Sequence, residues 1–478
     1  MDENRNKNVT GKGKEIKKRG EGLGTGPVGR ADAYAGRKKN ESNVTRGYED
    51  QLRAIKIKPI HMVILAIIAV ILLILFLKFG GSLLGGNGGS PLSGVFSGFG
   101  GGASPSAPWN ETLKNTGTLN TAVDSSARDR YTTLVGNGND TVTIMVYMCG
   151  TDLESKYGMA TNDINEMCAA SLSDKINIII YTGGCKQWKT QSISNSTNQI
   201  YRISGGKLQC LVSDDGAKVM TKPETLSYFI KYCATNYPAN RNMLIFWDHG
   251  GGSLTGYGYD EKNASSGSMD LSGINTALKD GGIKYDFIGF DACLMATLET
   301  ALLTSNYADY LIASEESEPG IGWYYTDWLN ALSKNTSMST IEIGKNIIDG
   351  FVDTCAVQCR GQQTTLSIVD LAELSQTVPD KLAEFSVDTS EIIKADGYKT
   401  VSDARAGTRE FAASAKIDQV DLVNLADRIG TDEAKALNDA ILSAIKYNRT
   451  SSNMTNAYGL SIYFPLPTSH LSLLMAAP

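Results

Sequence analysis

Histidine is nearly missing from this chain: His61, His249 and His470 are the only three among 478 residues. So few leave little from which to build a histidine-rich metal centre. None of the eight cysteines, at 149, 168, 185, 210, 233, 293, 355 and 359, forms a Cys-x-x-Cys pair, which argues against a zinc site. No EF-hand spacing occurs, so calcium could be held only by acidic loops. The glycine-rich run Gly22–Arg30 lacks a Gly-Lys-Ser/Thr ending and a preceding strand, so it is not a phosphate loop. The sequence requires no cofactor, and no internal repeat stands out. The net charge of −6 argues against nucleic acid as the main partner.

Charge is also missing locally. From Pro59 to Leu77 the chain reads PIHMVILAIIAVILLILFL, without Asp, Glu, Lys or Arg. That length of apolar sequence spans a bilayer core of about 30 Å as a helix. Arg46, Arg53, Lys56 and Lys58 precede it closely, whereas after Lys78 no Lys or Arg appears until Lys114. The positive-inside rule places the N-terminus in the cytoplasm and the rest outside, anchored by one uncleaved segment. Residues 1–58 carry 15 Lys and Arg against 8 Asp and Glu, in a polar tail expected to be disordered and suited to an anionic inner leaflet. Four regions follow: a basic cytoplasmic tail (1–58), a transmembrane signal-anchor (59–78), a Gly/Ser/Pro-rich tether (79–137) and a globular body (138–478).

In the body, short apolar runs at 142–148, 176–182, 243–247, 287–290, 310–314 and 365–369 alternate with helical patterns. One helix opens at Pro223 and places Leu226, Phe229, Ile230 and Cys233 on one face. This alternation predicts an α/β domain with a mostly parallel sheet covered on both faces. Residues 199–212, with Gly205-Gly206 at their centre, read as a hairpin, and 371–455 as mostly helical.

Two of the runs end in chemistry. Leu244–Trp247 is followed by Asp248-His249-Gly250-Gly251-Gly252, and Phe287–Phe290 by Asp291-Ala292-Cys293. Parallel strands end on one edge of a sheet, where open α/β sheets keep their sites. A thiol needs a base to become a nucleophile near neutral pH, and His249 is the obvious base in the body. The glycines let backbone approach a ligand closely and present N–H groups to it. Most cysteines are inert packing; the scarcity of histidine favours the sharper reading of Cys293. Alternation puts Trp247 and His249 on one face, so Asp248 points away and is structural.

The DHGGG and FDACLM strand ends together resemble the clostripain family of cysteine endopeptidases, relatives of caspases, gingipains and legumains. Ile144–Ser155, Ala313–Tyr324 and Gly459–Pro465 resemble further family segments, and the likeness runs from about Thr141 to Pro465. The resemblance implies a caspase-like α/β/α sandwich and a dyad without an obligatory third member. Cys293 is then the nucleophile, His249 the base and acid, and Gly250 the donor to the oxyanion, with the Cys293 N–H as the second donor. It also implies peptide or protein substrates, a preference for Arg or Lys before the scissile bond, and maturation by cleavage after a basic residue between the two motifs. Lys262 is the first candidate for that cleavage, with Lys279 and Lys284 behind it.

Asp291 either faces the substrate beside Cys293 or caps the following helix. Glu315 and Glu316, with Glu318, are further candidates for an acidic pocket wall. With Cys293 as nucleophile seven cysteines remain, so at least one more is unpaired. After Pro465 the chain runs only to Pro478 where the family continues, the pattern of a shortened C-terminus. Two rival functions share these residues: a catalytically idle surface domain that binds peptides, and a transpeptidase that passes the acyl group to an amine.

Overall fold

The computed structural model describes residues 117–465. The apolar run of residues 59–77 lies outside them; among the described residues no helix is long and apolar enough to cross a membrane.

In chain order the first half comprises β1 (Val142–Cys149), α1 (Thr151–Ser155), α2 (Met159–Ala169), β2 (Ile176–Gly183), β3 (Gln199–Ser204), β4 (Lys207–Val212), α3 (Pro223–Asn236), β5 (Arg241–Trp247), α4 (Gly252–Thr255), α5 (Leu271–Gly281), β6 (Tyr285–Asp291), α6 (Leu298–Thr304) and β7 (Ala308–Ala313). The second half comprises α7 (Tyr325–Lys334), α8 (Thr340–Gln358), β8 (Thr365–Asp370), α9 (Leu371–Ile392), α10 (Tyr398–Gly407), β9 (Glu410–Phe411), β10 (Gln419–Asp421), α11 (Leu422–Ile429), α12 (Asp432–Ala444), β11 (Ile445–Thr450) and β12 (Ser461–Tyr463).

Nine strands form the main sheet in the order β11-β8-β7-β6-β5-β1-β2-β3-β4. The central five are parallel. The flanks are antiparallel, so the sheet is mixed rather than mostly parallel. On one side the expected hairpin β3–β4 extends it. On the other, β8 and β11 do, and β11 arises from the stretch expected to be mostly helical.

The central strands are apolar throughout because both faces are covered. Met145 and Tyr147 of β1 point into one core with Leu226 and Phe229 of α3, Ile274 of α5 and Leu437 of α12. Ile144 and Val146 point into the opposite core with Ile164 of α2, Trp328 of α7 and Phe351 of α8. This is the expected three-layer sandwich. A second antiparallel sheet, β12-β10-β9, stands apart from the main one.

The stretch from 117 to 137, expected to be the end of a tether, instead lies along the body. Arg128 pairs with Asp309 at 2.9 Å, Arg130 bonds Asp370 through both terminal nitrogens, and the Asn120 N–H bonds Lys446 O. The body therefore begins earlier than residue 138. The reason is electrostatic: two buried carboxylates find their cations in this strap.

The chain adds β2 on one side of β1 and later adds β5, β6 and β7 on the other. The order reverses between β1 and β5, and the crevice outside the carboxyl ends of such a reversal is where open α/β sheets bind ligands.

Candidate active site

Three chain segments leave the sheet at that crevice. Trp247, at the end of β5, is paired in register with Asp291, at the end of β6. His249 and Cys293 each lie two residues further on, so the expected juxtaposition of the two strand ends is found. Gly250 lies against the Cys293 backbone so tightly that a Cβ there would sit 1.9 Å from the Cys293 carbonyl oxygen. Leu294, the next residue, has a left-handed φ of 68°, which non-glycine residues rarely adopt. That turn leads the chain sharply away from the sheet at Cys293.

His249 and Cys293 are both fully buried. The Cys293 Sγ accepts the Glu318 N–H at 3.2 Å. Phe411, Met454 and Ala457 pack with Cys293 and Leu294 in one small apolar cluster. Gln419 of β10 braces both strand ends: its Nε2 donates to Leu294 O at 3.0 Å, and its Oε1 lies where a side chain on Gly252 would go. The small sheet thus has a purpose that its short strands did not disclose.

The His249 ring has a partner that sequence reasoning missed. Asp152, the third residue after β1, places Oδ1 2.9 Å from His249 Nε2. Its other oxygen pairs with Lys156 Nζ at 3.2 Å. Asp248 does turn away, as its alternation required. It accepts from the Thr151 hydroxyl at 3.1 Å and from the Tyr259 N–H at 2.6 Å, and burial pushes its carboxyl up to about 7.

Asp291 does not cap the next helix. Thr297 caps α6, accepting the Thr300 N–H at 3.0 Å. The Asp291 carboxylate instead accepts from the Trp323 N–H at 3.2 Å and the Tyr325 hydroxyl at 2.9 Å. Trp323 also lines a cavity of about 290 Å³ together with Asp163, Glu166, Tyr324, Thr354 and Gln358.

Glu315 and Glu316, expected on the wall of a substrate pocket, are turned into protein instead. Glu315 accepts the Gly459 N–H at 2.8 Å and faces Asp421. Glu316 accepts the N–H groups of Ser317 at 2.7 Å and Ala412 at 3.2 Å. Buried N–H groups need acceptors, and these carboxylates supply them. Glu318 reaches the site through its backbone.

Burial pushes Asp421 up to about 7 and, with Asp421 beside it, raises Glu315 well above the usual carboxylate range. Folded protein then holds protons that the unfolded chain releases near pH 4. The stability this confers is present at low pH and is lost as pH rises through the folded values. Carboxyls held low, such as Asp140 at about 2, act oppositely below about pH 4. The melting temperature is therefore expected to fall between about pH 5 and pH 8. Glu315→Gln should flatten that fall, because an amide can donate to ionised Asp421. An unchanged slope in that variant would exclude the pair as its source.

Lys262 sits in the turn between the paired residues Tyr257 and Met269, its Nζ bonded to Asn195 O at 2.9 Å. Ala264 and Ser265 beside it are exposed. Lys279 lies within α5, and Lys284 lies in the short connection to β6. None of the eight cysteines is joined in a disulfide, and Cys355 and Cys359 lie one helical turn apart at the end of α8. Among the described residues no three His, Cys, Asp or Glu side chains gather as a metal site.

The comparisons with known proteins concern the family and the fold. Clostripain of Hathewaya histolytica is 30% identical over 223 residues, covering 40% of this chain and 41% of that protein. The chain thus matches less than half the length of this curated relative. A secreted C11 cysteine protease of Bacteroides thetaiotaomicron, solved with an irreversible peptide inhibitor, has a TM-score of 0.50 at 20% identity, over 69% of this chain and 94% of that one. A second structure of a secreted C11 cysteine protease from that organism, iotapain, has a TM-score of 0.52 at 16% identity, over 68% and 93%. At such identities the two structures speak for the fold alone. The clostripain family model matches residues 146–464, most of the chain, and the protein belongs to that family.

Proposed function

We propose that this chain is a cysteine endopeptidase in which Cys293 attacks the peptide carbonyl and His249 moves the proton. The observation that carries this reading is the contact of the Gly250 and Cys293 backbones at the ends of register-paired strands. With Nε2 turned to Asp152, Nδ1 is the ring nitrogen that takes the thiol proton and returns it to the leaving amine. The N–H groups of Gly250 and Cys293 stabilise the oxyanion, a contribution of about 3 kcal/mol per donor. Water then releases the acyl group from sulfur.

The specificity we propose is for Arg or Lys before the cut, with Asp291 as the anchoring acid. Its place at the end of β6, and the acids of the cavity beyond Trp323, support this. We further propose that the apolar run of residues 59–77 anchors the chain with the catalytic body outside the cell, and that the chain matures by cleavage after Lys262. A Lys262→Ala chain that still matures with an unchanged new N-terminus would sink that last assignment.

The reading is tested by incubating the full chain with a mixed peptide library, with and without calcium, and reading cut sites by mass spectrometry. Cuts after Arg or Lys are expected, with kcat/KM for those peptides about tenfold or more lower in Asp291→Asn. Cuts elsewhere would remove Asp291 from its role, and products joined to an added amine instead of hydrolysed would favour the transpeptidase.

A further inference from the structure

We infer that Asp152 is a positioning residue that fixes the tautomer and charge of His249, making the dyad a three-membered unit. This rests on the reading of His249 and Cys293 given above.

The contact is 2.9 Å between side chains that are 0% and 1% exposed, so it is shielded from competing water. The backbone is bent to make it. Thr151 adopts φ 48°, a left-handed conformation that a β-branched residue avoids, immediately before Asp152. The Thr151 hydroxyl then ties that turn to Asp248, so the acid next to His249 in sequence holds the turn while Asp152 meets the ring. β1 lies directly beside β5 at the topological reversal, which is why a residue 97 positions away reaches His249.

The chemistry follows from the geometry. A carboxylate accepting Nε2–H leaves Nδ1 as the basic nitrogen of neutral imidazole. When the ring takes the thiol proton, the same carboxylate stabilises the imidazolium without itself being protonated. Lys156 on the second oxygen tempers this effect by drawing charge away from the ring. Asp248, from the end of β5, also interacts electrostatically with His249, and Cys149, from the end of β1, lies beside Asp248; both stay in place in the test.

With only three histidines, the full chain labelled with ¹⁵N-histidine gives a sparse spectrum, and His249→Gln identifies the His249 signal. Its titration is followed in wild type, Asp152→Asn, Asp152→Glu and Lys156→Ala. The midpoint is expected to fall by about one pH unit or more in Asp152→Asn, to recover in part in Asp152→Glu, and to rise in Lys156→Ala. On a cleaved peptide, kcat should fall about 100-fold in Asp152→Asn with KM little changed. A purely structural Asp152 moves none of the midpoints, because Asn keeps the shape and one acceptor. Unmoved midpoints in Asp152→Asn and Lys156→Ala overturn the inference, even if activity is lost. The titration uses no substrate, so a wild type that cuts no peptide defeats the proposed peptidase reading without deciding on Asp152.

Discussion

Gly250→Ala is expected to abolish peptide cleavage while the chain still folds. The added methyl would stand 1.9 Å from the Cys293 carbonyl oxygen and 3.1 Å from the Cys293 nitrogen. Both are backbone atoms, so no flexible side chain can swing aside. Relief requires the two strand ends to part by about 1 Å, and displacements of that size at reacting atoms cost about 100-fold in rate. The same movement spoils both proposed oxyanion donors, each worth about 100- to 1000-fold. The expected loss in kcat/KM is therefore about 1000-fold or more, with a modest fall in melting temperature. Gly350→Ala in α8 is the control. Its nearest neighbour would be 3.8 Å away, and alanine favours the helix, so activity and stability should hold or improve. Near-normal kcat/KM in Gly250→Ala would mean that the strand ends are not held together as described.

The largest expected effect on stability lies at the opposite edge of the sheet. Arg241 opens β5, and Asp286 stands near the start of β6. The guanidinium is fully buried. It pairs with Asp286 through Nε at 2.7 Å and through Nη2, and Nη1 donates to Thr336 O and Met338 O at 2.8 Å each. Thr340 donates to the same carboxylate from the start of α8. Burial raises the Asp286 carboxyl while Arg241 pulls it down, so the pair depends on its partners. Asp286→Ala leaves a buried cation without its counter-charge, which costs about 3–5 kcal/mol, or a fall of about 10 °C in melting temperature. Arg241→Met with Asp286→Leu should lose less than Asp286→Ala alone, because no charge is stranded. Below its melting range Asp286→Ala should keep kcat near wild type, since the pair lies far from His249 and Cys293. A melting temperature within a degree or so of wild type would show that water reaches this pair.

The apolar runs foretold the six core strands to within about two residues, because strands covered on both faces must be apolar along their whole length. His249 and Cys293 stood out as the polar endings of two such runs. Asp152 ends a third, the run Val142–Cys149, and that is the signal that could have found it. Nothing local tells which of several endings will be neighbours, since that depends on strand order.

Strand order also hid the antiparallel flanks. A buried strand reads the same in either direction, and β9, β10 and β12 are too short to show any period. Glu315 and Glu316 misled for a related reason. A glutamate near a nucleophile looks like a pocket wall, but its direction is set by Gly459 and Ala412, which lie far along the chain. Likewise the strap before β1 looked like a tether because its contacts are single arginines meeting distant carboxylates rather than a pattern.

The most direct test of the central claim treats the full chain with a peptide electrophile that ends in lysine and maps the adduct among the eight cysteines. The account predicts one adduct, on Cys293, that forms far more slowly in His249→Ala. An adduct on another cysteine, or labelling of Cys293 that ignores the loss of His249, would contradict it.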